Sequence, residues 1–225
     1  MRPQPMAATA GRRYRGQSAE QRIAERRERL LEAGLTEFGS RGVLSTGVKD
    51  VCRRAGLTDR YFYESFRDSA ELFTAVFNRA TNHLFEVVIV ALADAGEDPA
   101  AQVRAAIDAY VRALADDPRL ARVVFIEAPS AGPDVELHMR RTLRRFARAI
   151  ETAAQPHLPS QVKPETLRFA AISLVGAIER VMIEWQDGEL GLSIEQIVDN
   201  VVGIFLALGA IAGVKQIREE NDADD

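Results

Sequence analysis

The sequence predicts an all-α chain, a three-helix head followed by a larger all-helical body, with about nine helices in all. Three observations predict this. Apolar residues recur at three- and four-residue steps in nearly every segment, no stretch alternates with the period of a strand, and Gly, Pro and Asp fall between the periodic segments. With 47% hydrophobic and 28% charged residues among 225, the composition excludes wholesale disorder and allows a substantial core.

Residues 1–18 contain Pro3, Pro5, Gly11 and Gly16 with no helical period, and read as a basic arm carrying Arg12, Arg13 and Arg15. Such an arm can follow a minor groove or remain a solvated tail. From Ala19 to Gly39 the pattern is helical. Leu30, Ala33, Gly34 and Phe38 form the inner stripe, and Arg22, Arg26, Arg27 and Arg29 the outer one. Those arginines alternate with Glu25, Glu28 and Glu32 at helical spacing, so mutual pairing on a solvated face is expected.

The stretch STGVKDVCRRAGLTDRYFYESF, residues 45–66, organises the head. Val48, Val51, Cys52 and Ala55 stand at i, i+3, i+4 and i+7, on one face of a short helix. Ser45 and Thr46 are its N-cap candidates, and Gly56 suits a left-handed exit. Thr58 is placed to cap a second short helix, Asp59 to Ser65. Two short helices joined by a Gly-containing turn have the layout of a helix-turn-helix, whose second helix enters the major groove of DNA. Charge agrees. Residues 1–67 carry 14 Lys/Arg against 8 Asp/Glu, a balance of +6, and residues 68–225 carry 15 against 25, or −10. A basic head on an acidic body suits a nucleic-acid module joined to a part that avoids DNA.

Beyond the head, Asp68 or Ser69 can cap a helix running from Ala70 to about Ala93, with Leu72, Phe73, Val76, Phe77, Ala80, Leu84 and Val87 inside. At 1.5 Å per residue it spans about 35 Å, enough to join head and body. Asp98-Pro99 begins the next helix, through Ala115, and Asp117-Pro118 a shorter one, broken by Pro129, Gly132 and Pro133. Asp134 to Ala154 should turn Leu137, Met139, Leu143, Phe146 and Ile150 inward and Arg140, Arg141, Arg144, Arg145 and Arg148 outward. Pro164 to about Trp185 carries a stripe of small residues, Ala170, Ser173, Gly176 and Ala177, ending at Arg180. Ser193 to Ala212 is strongly apolar. Residues 218–225 read as a disordered acidic tail.

The run from Arg29 to Leu72 resembles the DNA-binding domain of the TetR family of transcriptional regulators. The resemblance rests on Leu30, Leu31, Ala33, Phe38, Gly42, Thr46, Val48, Asp50, Val51, Ala55-Gly56-Leu57-Thr58, Phe62-Tyr63, Phe66 and Glu71-Leu72. Cys52 and Gly34 stand where this pattern has Ala, and Ser69 where it has a phosphate-contacting Lys. The resemblance implies a homodimeric repressor, with a head at 19–67 and a ligand-binding and dimerisation body at 68–217. It implies release from an inverted-repeat, double-stranded operator by a small-molecule effector. DNA contacts map to Thr46, Lys49, Thr58, Asp59, Arg60, Tyr61 and Tyr63. The last two long helices pair with their twins. Candidate pocket residues are Phe85, Phe125, Glu127, His138, Phe169, Glu179 and Trp185, each with an alternative reading as plain core or partly exposed surface.

An enzyme is not expected: His83, His138 and His157 are scattered, and no Gly-rich phosphate loop, GxSxG or paired-Cys motif occurs. No cofactor or metal is implied. Cys52 is the only thiol, which excludes an intramolecular disulfide and places it on the apolar seam as a small core residue. No apolar leader and no span long enough for a bilayer is seen, so a cytoplasmic location is expected. Two rival readings remain: a helical adaptor dimer with a degenerate head, and a ligand-independent regulator.

Overall fold

The computed structural model describes residues 18–158 and 162–221, with side chains to residue 207. Nine α-helices occur among them: α1 (Ala19–Arg41), α2 (Val48–Ala55), α3 (Asp59–Tyr63), α4 (Ser69–Asp94), α5 (Pro99–Asp116), α6 (Pro118–Ala121), α7 (Pro133–Ala154), α8 (Pro164–Gln186) and α9 (Ile194–Asn221). No strand occurs among the described residues. Several helices differ from expectation at an end: α1 runs to Arg41 rather than Gly39, and α3 stops at Tyr63 rather than Ser65. The α6 helix continues as a π-helical stretch, Arg122–Glu127, and α9 remains helical to Asn221, four residues into the presumed acidic tail. The basic arm lies outside the described residues, except Ser18.

Ser18 starts α1 with a reciprocal cap. Its hydroxyl accepts the Gln21 N–H at 3.1 Å, and the Gln21 side chain accepts the Ser18 N–H at 2.8 Å. Asp68 and Asp98 cap α4 and α5 by accepting from Glu71 and Ala101. At α2 the expected caps fail. Gly47 is the N-cap, its N–H donating to Asp50 Oδ2 at 3.1 Å, and Thr46 points inward to donate to Gly42 O at 2.8 Å. Gly56 leaves α2 at φ +62°, a left-handed conformation that a side chain disfavours.

In the head, Leu30, Phe38, Val51, Phe62 and Phe66 are sealed from solvent together with Leu72, Phe73 and Phe77 of α4. Each such side chain stabilises the fold by about 1.5–3 kcal/mol relative to exposure. Phe38 meets Phe73 edge-on at 5.1 Å between ring centroids. Gly34 has its reason here: a Cβ would stand 3.0 Å from Val76 Cγ2, so its absence lets α4 close on α1.

In the body, α4 packs on α5 and α7, α5 on α9, and α8 on α7 and α9. The α7 pattern is corrected. Val135 and Ala147 are its buried residues, whereas Leu137 and Leu143 are exposed. Arg145 is not simply outward: its guanidinium lies 3.7 Å from the centroid of Phe85 and donates to Asn82 Oδ1 at 2.6 Å.

Head and body meet through α6. Arg119 donates to Glu32 Oε1 at 2.9 Å, to Thr36 Oγ1 at 2.7 Å and to both oxygens of Asp117 at 2.7 Å. Gly39 makes this approach possible, since a Cβ there would be 2.7 Å from Arg119 Cβ. Eight residues after Arg119, Glu127 Oε2 accepts the backbone N–H of Val43 at 2.8 Å while its Oε1 accepts from Arg122 at 3.1 Å. The α6 segment is thereby fastened to both the end of α1 and the turn into α2.

Candidate nucleic-acid interface

The recognition segment is α3, five residues held from beneath by buried Phe62 and Phe66. A helix this short has no stability of its own, so its orientation comes from what it packs against. Arg60 projects from it with a side chain 85% exposed and, among the described residues, pairs with Glu64 at the end of α3 at 3.3 Å. Tyr63 is 60% exposed, and Asp59, Thr58 and Lys49 are also at the surface. Five of the seven expected contact residues therefore share the exposed side of the α2–α3 unit. Thr46 does not: it is 6% exposed and its hydroxyl faces the α1–α2 turn. Tyr61 is half-buried, its ring beneath the Arg26 guanidinium at 4.4 Å.

The α1 arginines differ most from expectation. Rather than only pairing along their own helix, three reach across to the helix-turn-helix. Arg29 donates to the carbonyls of Ala55 and Gly56, which end α2. Arg27 donates to Ser65 O at 3.2 Å and covers the Phe66 ring at 4.2 Å. Arg26 pairs with Glu64 Oε2 at 3.3 Å. A second group fixes α2: the nearly sealed Glu37 carboxylate accepts from Arg54 and from Arg41, and Arg41 also pairs with Asp50 at 3.3 Å. The Gly47 N–H, ahead of Arg53, holds the Asp50 carboxyl below its ordinary range.

Residues 30–76 match the model of bacterial regulatory proteins of the tetR family. The chain carries a TetR-family DNA-binding domain. It is a DNA-binding transcriptional regulator, and its relatives agree. It is 23% identical over 195 residues to the transcriptional regulator AcrR of Shigella flexneri, covering 84% of this chain and 91% of the relative. It is 32% identical over 101 residues to the transcriptional activator FasR of Mycolicibacterium smegmatis, covering 45% and 46%. Among solved structures, the regulator FadR of Bacillus subtilis in complex with stearoyl-CoA superposes with a TM-score of 0.70 at 14% identity, over 79% of this chain and 96% of that one. That likeness supports the fold.

The body of the chain does not bring the seven candidate pocket residues together. Phe125 is core, and Glu127 binds the Val43 amide instead of facing a cavity. The ring of His138 stands 2.8 Å from Asp134 O, and Trp185 donates to Leu192 O at 3.0 Å. Phe169 is 74% exposed on α8. Glu179 is half-buried, and burial raises its carboxyl above the ordinary range. Phe85 opens onto a groove of about 420 Å³ shared with Ile89, Leu92, Arg145 and Arg148. A larger cleft of about 1110 Å³ lies where α1 meets α4, α5 and α6, bordered by Glu32, Arg79, His83, Arg112 and Arg119. No sequence signal marked it, because its walls come from four separate helices. None of the described helices is long and apolar enough to cross a membrane.

Proposed function

We propose that the chain is a homodimeric repressor that binds an inverted-repeat operator and leaves it when a small molecule occupies the body. The observation that carries this reading is an exposed Arg60 on α3, held by no more than a surface pair with Glu64, together with an apolar face left open on α8. Phe169, Ile172, Ser173, Gly176, Ala177 and Arg180 recur at helical spacing on one side of α8, and all are exposed. A face of that kind suits a twin helix approaching closely, and a two-fold axis there makes the contact self-complementary. Two α3 segments would then enter successive major grooves about 34–36 Å apart.

Affinity comes chiefly from phosphates, contacted by Lys49, Tyr63, Thr58 and the free N–H groups at the start of α2. Specificity comes from base edges. Arg60 donates bidentately to guanine O6 and N7, and Asp59 accepts from cytosine N4. The effector acts by binding better to the body conformation whose heads no longer match the operator spacing, and α6 carries the change into α1. FasR is an activator, so the direction of regulation belongs to the test.

The test begins by selecting duplexes from random-sequence DNA with the full chain. An inverted repeat should emerge, and Arg60→Ala should weaken the selected site by about 1–3 kcal/mol while relaxing preference at one base pair per half-site. Equal losses on selected and unrelated DNA would remove Arg60 from base reading, and recovery of no duplex would sink the proposal. Reporter transcription from the recovered site, with and without the chain, separates repression from activation.

A further inference from the structure

We propose that Arg26, on α1 and outside the helix-turn-helix, is a positioning residue that sets the sequence discrimination of the head. The inference rests on the reading that α3 meets base edges through Arg60. Arg26 holds two neighbours of Arg60 at once. Its guanidinium covers the Tyr61 ring at 4.4 Å, and Nη2 pairs with Glu64 Oε2 at 3.3 Å. The other oxygen of Glu64 takes Arg60 at 3.3 Å, so one carboxylate lies between two guanidiniums of opposite fate. Arg26 is the sheltered partner, with a side chain 22% exposed, and Arg60 the open one at 85%.

The asymmetry has a consequence for reading. Arg60 must leave Glu64 to reach a guanine, and the carboxylate it leaves behind would repel the phosphates and pull Arg60 back. Arg26 stays and neutralises that charge, while its planar group keeps Tyr61 from rotating toward the groove. On a wrong base Arg60 gains nothing and returns to Glu64. The Arg26–Glu64–Arg60 chain thus favours the cognate base pair by penalising idle contact, which is specificity through a competing internal partner. Fixing the far end of α3 matters because the segment is too short to hold its own axis. Arg27, on Ser65 O and Phe66, braces the same end.

The experiment compares the full chain with Arg26→Ala, Arg26→Lys, Glu64→Gln and Arg60→Ala on a selected duplex and an unrelated one across a salt series. Arg26→Ala should lower the affinity ratio between the two duplexes about tenfold, the size expected when a stack and an ion pair are lost together, and leave the salt slope unchanged. Arg26→Lys should recover only part of the ratio, because an ammonium pairs with Glu64 but does not cover Tyr61 as a plane. Glu64→Gln should bind unrelated DNA more tightly, narrowing the ratio from the other side. Without any DNA, Arg26→Ala should speed amide exchange at Tyr61–Ser65 and leave α2 unaffected. A salt slope reduced by about 0.9 with equal losses on both duplexes would make Arg26 a phosphate contact and overturn the proposal. So would an unchanged ratio in Arg26→Ala while Arg60→Ala collapses it. If Arg60→Ala leaves the ratio intact but exchange in α3 still responds to Arg26→Ala, the base-reading assignment fails and takes the discrimination role with it, leaving only the brace.

Discussion

Replacing Glu127 with Ala tests the fastening between body and head at its most defined point. Glu127 is 9% exposed, and its carboxylate accepts one backbone N–H, that of Val43 at 2.8 Å, and one guanidinium, that of Arg122 at 3.1 Å. A hydrogen bond to a charged acceptor contributes about 1.5–3 kcal/mol. The Arg122 pair adds little, about 0.5 kcal/mol or less, because the Arg122 side chain is 41% exposed and solvent screens it. The loss should therefore be about 2–3 kcal/mol, which for a chain of this size lowers Tm by roughly 5–10 °C. Glu127→Gln keeps an oxygen for Val43 without the charge and should cost about 1 kcal/mol. Thermal unfolding gives the magnitude, and amide exchange at Val43 gives the place. If Val43 exchanges at the parental rate in Glu127→Ala, the contact is not made in solution and the reasoning about the α6 joint is refuted.

Three further outcomes follow from the same contacts. Ser69→Lys should steepen the dependence of log K on log salt by about 0.9 per protomer through one added phosphate contact, and an unchanged slope would show that position 69 does not face the backbone. Burial, reinforced by the charge of Asp59, pushes the Cys52 thiol up to about 11, so at pH 8 only about one molecule in a thousand carries the reactive thiolate. A disulfide reagent should label Cys52 only as denaturant opens the head, and raising the pH toward 11 should accelerate labelling; rapid reaction in native protein at pH 8 would contradict the placement. Ile172→Glu puts a charge on the exposed face of α8, and sedimentation should show a monomer with weakened binding to an inverted repeat, whereas a retained dimer would move the interface elsewhere.

The head was legible because its signals are local. Val48, Val51, Cys52 and Ala55 make one seam within eight residues, and Gly56 marks the only conformation that turn can take. What escaped depends on partners far along the chain. Glu25 and Glu32, one turn to either side of Arg29, made pairing along the helix a sufficient explanation in sequence, yet Arg26, Arg27 and Arg29 reach groups 26 to 38 positions later. Glu127 reads as a ligand anchor because it is a carboxylate on an apolar segment; its partner, the Val43 amide, lies 84 residues earlier and has no side-chain signature at all. The same limit explains the pocket. Aromatic residues spaced through three helical segments share a composition without sharing a cavity, and the clefts that do form are bounded by whichever surfaces the crossings leave unfilled. On α7, Leu137 and Leu143 satisfied a three-to-four repeat but lie off the narrow line of Val135 and Ala147 that touches its neighbours.

The absence of a side chain at Gly39 also bears on how such regulators can be recombined. With Arg119 seated directly on that helix surface, the natural cutting line for transplanting this DNA reader onto a foreign sensor does not run between residues 67 and 68. A graft made there would separate α1 from both α4 and the 117–127 segment that rest on it, and the borrowed sensor would need to supply equivalents of both or become deaf to its inducer.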